Sequence, residues 1–221
     1  MRFANREHAG QVLARQLAGW KGRDDLVVLG LPRGGVVVAA EVARALDAPL
    51  DVLVVRKLGV PGHEEVAMGA IASGGVQVLD PRVVVLADVD RAAIARVVAR
   101  EQTELARRER AFRGDRLPAD LTERVVVLVD DGLATGSTML AAVRALLSRG
   151  PARIVVAAPV GSAEACALVA AEADEVVCTS RPDPFYSVGT WYADFRDTPD
   201  SQVRALLEEA VSRMGSGPAL A

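Results

Sequence analysis

The 221-residue chain is 51% apolar, 25% charged and only 4% aromatic, which excludes a disordered chain and suits one domain that buries its core without disulfides or metals. Its 26 basic and 29 acidic side chains give a net charge of -3, so no global field recruits a polyanion such as nucleic acid. No apolar run approaches the ~20 residues of a membrane helix. Cys166 and Cys178 lack metal-ligand spacing, and the opening MRFANREHAG has no signal-peptide core. A reducing cytoplasm, without membrane or nucleic-acid partners, is therefore expected.

In chain order, Asn5 can cap a helix that places Ala9, Val12, Leu13 and Leu17 on one face and ends near Gly19. The apolar run Leu26 to Leu29 predicts a strand that breaks at Gly30-Leu31-Pro32-Arg33-Gly34-Gly35. A helix over Val36 to Leu46 and a second strand over Asp51 to Val55 complete a βαβ unit. Arg56-Lys57 then leads into a loop-like stretch from Gly59 to Gly75, with His63 reading as an exposed loop residue. A hairpin of Val76 to Leu79 and Val83 to Leu86 is expected to turn at Asp80-Pro81.

Val89 to about Phe112 alternates apolar and charged residues and predicts a long, partly exposed helix. Val125 to Val129 is a buried-strand run ending in Asp130-Asp131, followed by a helix from Ser137 to Leu147. A strand over Ile154 to Ala158, a helix over Ala163 to Ala171 and a short strand over Glu175 to Cys178 bring the sheet to about five strands. Arg181 to Pro199 holds five of the eight aromatics (Phe185, Tyr186, Trp191, Tyr192 and Phe195). Thr198-Pro199 opens a last helix, and the tail from Met214 to Ala221 is expected to fray. The pattern predicts an α/β fold with an open, mainly parallel five-stranded sheet and helices on both faces.

The segment Val126 to Thr138 carries the most chemistry: a buried strand, two carboxylates, then a small-residue loop entering a helix. Ligands of open parallel sheets collect at the carboxyl ends of strands, where such a loop presents backbone N–H groups to phosphate. Thr135, Ser137 and Thr138 add hydroxyls. Asp130 and Asp131 would repel a phosphate, so they suit a vicinal diol or a hydrated Mg²⁺. A ribose 5-phosphate meets both requirements. The absence of a Gly-Lys-Ser/Thr triplet excludes a Walker-type loop.

All thirteen of these positions resemble the PRPP-binding motif of the type I phosphoribosyltransferases (PRPP is 5-phosphoribosyl-1-pyrophosphate). The resemblance covers roughly Leu26 to Cys178. It implies that Asp130 and Asp131 hold the ribose hydroxyls, with Mg²⁺ through water, and that Ala134, Thr135, Gly136, Ser137 and Thr138 wrap the 5-phosphate. Pro32, Arg33, Gly34 and Gly35 resemble the family's pyrophosphate loop, in which a strained or cis peptide occurs in several relatives. Lys57, and next to it Arg56, would offset the charge of the leaving pyrophosphate. Gly59 to Gly75 and the adjoining hairpin would serve as a lid excluding water.

The implied reaction moves phosphoribose to a small nitrogenous acceptor with release of pyrophosphate, or runs in reverse. Ala134 stands where hypoxanthine-guanine enzymes carry an acid, which disfavours a 6-oxopurine acceptor. The acceptor would meet a hood of residues 1–20 and 181–213, where Phe185, Tyr186 and Trp191 can stack on a planar base and Asp183 or Asp194 can pair with its N–H groups. Packing of the tail or of a subunit interface would explain the same aromatics. The family also implies a homodimer. A non-catalytic regulator that senses PRPP or a nucleotide in the same pocket remains the alternative. A PRPP synthase-like kinase would need an ATP site that the sequence does not show.

Overall fold

A computed structural model describes residues 2–215. The chain forms α1 (Arg6–Gln16), β1 (Leu26–Gly30), α2 (Gly34–Leu46), β2 (Leu50–Val52), β3 (Val55–Val60), β4 (His63–Ala72), β5 (Val76–Leu79), α3 (Pro81–Leu86), α4 (Arg91–Arg113), β6 (Val125–Val129), α5 (Ser137–Leu147), β7 (Arg153–Val160), α6 (Ala163–Ala170), β8 (Glu175–Ser180) and α7 (Asp200–Gly215). Residues 216–221 of the tail expected to fray lie outside the described part; Met214 and Gly215 continue α7.

Five strands make a parallel sheet in the order β2-β1-β6-β7-β8. The period-two geometry of a strand explains why β6 is apolar at every position. Val125, Val127 and Val129 face the layer that contains Leu13, Val36, Val97 and Val203. Val126 and Leu128 face the layer of Met139, Val143 and Cys166. Each such side chain contributes roughly 1.5–3 kcal/mol by leaving water, so a polar residue anywhere in β6 would break one layer or the other.

The region between the two βα units differs from expectation. β3, β4 and β5 form a separate antiparallel sheet. The stretch read as a loop from Gly59 to Gly75 is mostly strand, turning at Pro61 and Gly62 with an irregular register around Gly59. Val83 to Leu86 is helix, not the second arm of a hairpin. Asp80 accepts hydrogen bonds from the N–H groups of Arg82 and Val83, and Pro81 occupies the first turn. Asp-Pro thus acts as a helix start, where the missing N–H of proline costs nothing. The β5 partner is β4 instead, which lies earlier in the chain.

The expected hood also divides. Phe3 N–H donates to the Trp191 carbonyl and Ala193 N–H to the Phe3 carbonyl, so the chain start pairs with the aromatic segment. Phe3 and Tyr192 are fully buried there, with Phe185, Val188, Trp191 and Phe195 against them. α1 itself packs on α2, and α7 packs on α2 and α4, so both belong to the helical layer.

Candidate functional site

β1 and β6 are neighbours in exact parallel register, Gly30 opposite Val129. Whatever follows the two strands must therefore meet at one edge of the sheet, and Pro32 to Gly35 lies against Asp130-Asp131. The approach is so close that a Cβ on Gly34 would stand 2.0 Å from Asp131 Oδ2. One on Gly35 would stand 2.8 Å from Asp130 Oδ1 and 2.9 Å from the Val129 carbonyl. Only glycine fits either place. The Pro32–Arg33 peptide is cis.

Helix capping separates α2 and α5 from α1, α3, α4 and α6. Asn5, Asp80, Asp90 and Ser162 accept N–H groups at the starts of α1, α3, α4 and α6. α2 and α5 begin at Arg33 and Gly136 with no side-chain bond from the cap residue. Gly136 adopts the left-handed conformation, φ 74°. The nearest substitute at α5 is a long contact of 3.4 Å from Ser137 N–H to Thr135 Oγ1. Unclaimed N–H groups and the positive end of the helix dipole make each start an anion site, and both flank the acid pair.

The loop from Ala134 to Thr138 is held from beneath: Ser162 Oγ donates to the Ala134 carbonyl at 2.9 Å while accepting from Ala165 N–H. Thr135 Oγ1 and Ser137 Oγ are 3.0 Å apart, and Lys57 Nζ donates to Ser137 Oγ at 2.7 Å. Lys57 therefore sits at this loop rather than at Pro32 to Gly35. Arg56 is not brought to the site. Adjacent residues of a strand point to opposite faces, and Arg56 reaches Glu101 of α4 at 2.9 and 2.5 Å. Arg33 is 45% exposed and lies 3.7 and 3.8 Å from Asp197 and Asp200.

Burial pushes the carboxyl of Asp130 well above the usual carboxylate range, and the neighbouring Asp131 adds to the shift. Asp131 is raised by burial too, against the pull of Arg6. Arg6 Nε donates to Asp131 Oδ2 at 2.7 Å, and its Nη1 donates to the Arg196 carbonyl at 2.7 Å. Its guanidinium lies 3.9 Å from the centre of the Phe195 ring. Tyr192 Oη donates to the Asp131 carbonyl at 2.6 Å, and Val188 packs on Gly132, where a Cβ would come within 2.4 Å. Arg6, Tyr192 and Val188 escaped the sequence reading because their contacts span 125, 61 and 56 positions.

Of the expected stacking residues, Phe185 and Trp191 are partly buried in the aromatic cluster and Tyr186 is 80% exposed. Asp194 is bound by Arg196, which holds its carboxyl down at about 2. Among the described residues no three His, Cys, Asp or Glu side chains form a metal cluster. Asp130 and Asp131 fit a cation that keeps its waters or takes oxygens from a substrate. None of the described helices is long and apolar enough to cross a membrane.

The phosphoribosyl transferase domain model matches residues 4–194. Proteins from two strains of Mycobacterium tuberculosis, both named "putative phosphoribosyl transferase", are 48% identical over 208 residues, which is 94% of this chain and 47% of theirs. The chain thus spans about half the length of these curated relatives. The crystal structure of TT1426 from Thermus thermophilus superposes with a TM-score of 0.86 at 48% identity, covering 95% of this chain and 99% of the other.

Proposed function

The chain belongs to the phosphoribosyl transferase domain family, and from that premise we propose that it transfers 5-phosphoribosyl from PRPP to a small nitrogenous base, a pentosyltransferase reaction. The observation that carries the reading is the pair of helix starts without side-chain caps, at Arg33 and Gly136, on either side of Asp130 and Asp131. PRPP has a phosphate at one end of a ribose and a pyrophosphate at the other, and the site has one anion cradle at each end of a carboxylate pair.

In this reading Ala134, Thr135, Gly136, Ser137 and Thr138 hold the 5-phosphate, with Lys57 supplying the countercharge that its contact with Ser137 allows. Pro32, Arg33, Gly34 and Gly35 hold the pyrophosphate. Asp130 and Asp131 accept the ribose hydroxyls. They would also hold Mg²⁺ through water, and the ion would offset the charge of the departing pyrophosphate.

The bond between the anomeric carbon and the pyrophosphate oxygen breaks, and pyrophosphate leaves with the electron pair. The acceptor nitrogen supplies a new pair to the same carbon and loses its proton to solvent. Positive charge grows on the ribose ring between these events, and two mostly buried carboxylates stabilise it electrostatically because little water competes. Ala134 leaves no acid for a 6-oxopurine, and Phe185, Tyr186 and Trp191 border the acceptor side. A homodimer working in the cytoplasm completes the proposal.

The test incubates purified protein with PRPP, Mg²⁺ and a panel of purine, pyrimidine and pyridine bases, followed by ³¹P NMR and mass spectrometry. Pyrophosphate released with one acceptor, and not by Asp130→Asn/Asp131→Asn, is the expected result. Tight PRPP binding with no turnover on any base would favour a PRPP-sensing regulator instead. A protein that does not bind PRPP refutes the proposal.

A further inference from the structure

The pyrophosphate end of the site lacks a buried cation among the residues that sequence reasoning assigned to it. Arg56 is committed to Glu101, Lys57 lies at the opposite phosphate loop, and the Arg33 side chain is nearly half exposed. A leaving pyrophosphate carries several negative charges, and two carboxylates next to it make an uncompensated approach costly.

One cation does stand there. The Arg6 side chain is 12% exposed and lodged between Asp131 and the glycine loop, its Nε only 2.5 Å from where a Cβ on Gly34 would sit. It is held at a fixed place by the Arg196 carbonyl and the Phe195 ring. Its Nε and Nη1 are engaged, and Nη2 has no hydrogen-bond partner among the described residues. A cavity of about 390 Å³ opens beside it, bordered by Arg6, by Val37 in the first turns of α2 and by Arg196. Of the acids on that wall, Asp194 is bound by Arg196, Asp197 faces Arg33, and Glu7 accepts from Gln202 Nε2 at 3.5 Å.

We infer that Arg6 is a donor-binding residue whose guanidinium takes the pyrophosphate of PRPP, exchanging Asp131 for phosphate oxygens as the site fills. The inference rests on the donor reading given under Proposed function. The exchange is balanced: Asp131 gives up the guanidinium and receives ribose hydroxyls, while Arg6 moves from one carboxylate to a group of higher charge that its planar fork fits in two-point fashion.

The experiment is isothermal titration, in Mg²⁺ buffer, of the wild-type chain, Arg6→Gln and Arg6→Lys with three probes: PRPP, inorganic pyrophosphate and ribose 5-phosphate. Arg6→Gln is expected to weaken PRPP and pyrophosphate by ~10-fold or more and ribose 5-phosphate by less than ~3-fold, with Arg6→Lys recovering part of the loss. Equal losses for ribose 5-phosphate and pyrophosphate would overturn the assignment, since Arg6 would then act only through Asp131 or through the fold. No loss at all would overturn it as well. If Arg6→Gln does not fold, Arg6→Lys decides alone: a weakening confined to the pyrophosphate-bearing probes supports the inference, and a uniform or absent one refutes it. A wild-type chain that binds none of the three probes refutes the donor reading itself, and the role of Arg6 falls with it.

Discussion

Gly34→Ala probes the closest contact in the site. The new methyl would stand 2.0 Å from Asp131 Oδ2 and 2.5 Å from Arg6 Nε, whereas non-bonded heavy atoms rest at about 3.5 Å. The carboxylate must retreat by roughly 1.5 Å, and its 2.7 Å pairing with Arg6 cannot survive that displacement. Both partners are mostly buried, with side chains 12% and 17% exposed, so separating them costs about 3 kcal/mol. In a chain of this length that is a fall of about 6–12 °C in Tm. Misplacing a binding carboxylate by this much should also weaken PRPP on the order of 100-fold. Gly19→Ala, where nothing lies within 4 Å of the new methyl, is the control and should shift stability by no more than about 0.5 kcal/mol. Calorimetric melting and titration with PRPP in Mg²⁺ read both effects. A Gly34→Ala protein that melts and binds like wild type would refute the packing of the glycine loop on the acid pair.

Arg56→Met leaves Glu101, whose side chain is 8% exposed, with Arg100 as its remaining partner; it should lower stability by about 2 kcal/mol and leave pyrophosphate release within about twofold of wild type by stopped assay. Lys57→Met should do the reverse, with a near-normal Tm and turnover reduced on the order of 100-fold. Asp130→Asn keeps an oxygen for the Asp131 N–H and removes a carboxyl whose folded pKa is raised by burial. A raised folded pKa means that the native state holds the extra proton, so wild-type stability falls as pH climbs above the unfolded value of about 4, until the folded pKa is passed. The ligand-free variant should therefore match wild type at pH about 4 and exceed it in Tm at neutral pH. Melting curves across pH check the sign, and a variant that is less stable at neutral pH contradicts it.

The parts of this fold that could be read in the chain are those set by local order. Val125 to Val129 runs apolar at every position because both faces of β6 are covered, and Asp130 to Thr138 must follow at the carboxyl edge. Asn5 caps a helix through His8 N–H, a contact three residues long. What escaped reading depends on distant partners. His63 to Ala72 is a strand because β3 and β5 lie on either side of it, not because of its own pattern, which is rich in charge and Gly/Ala. Asp80-Pro81 serves a turn and a helix start equally well, and the side chain of Asp80 decides between them. Arg6 sits in a helix that looks like any capped amphipathic segment; only the fold brings it to Asp131. Arg56 and Lys57 are adjacent in sequence, yet the strand sends one to α4 and the other to the phosphate loop.

The most direct test of the central claim is titration calorimetry of PRPP, in Mg²⁺, into the wild-type chain and into Asp130→Asn/Asp131→Asn. The account predicts binding to wild type and a loss of ~100-fold or more in a double variant that still melts cooperatively. Absence of binding to wild type, or equal affinity in the folded double variant, would contradict it.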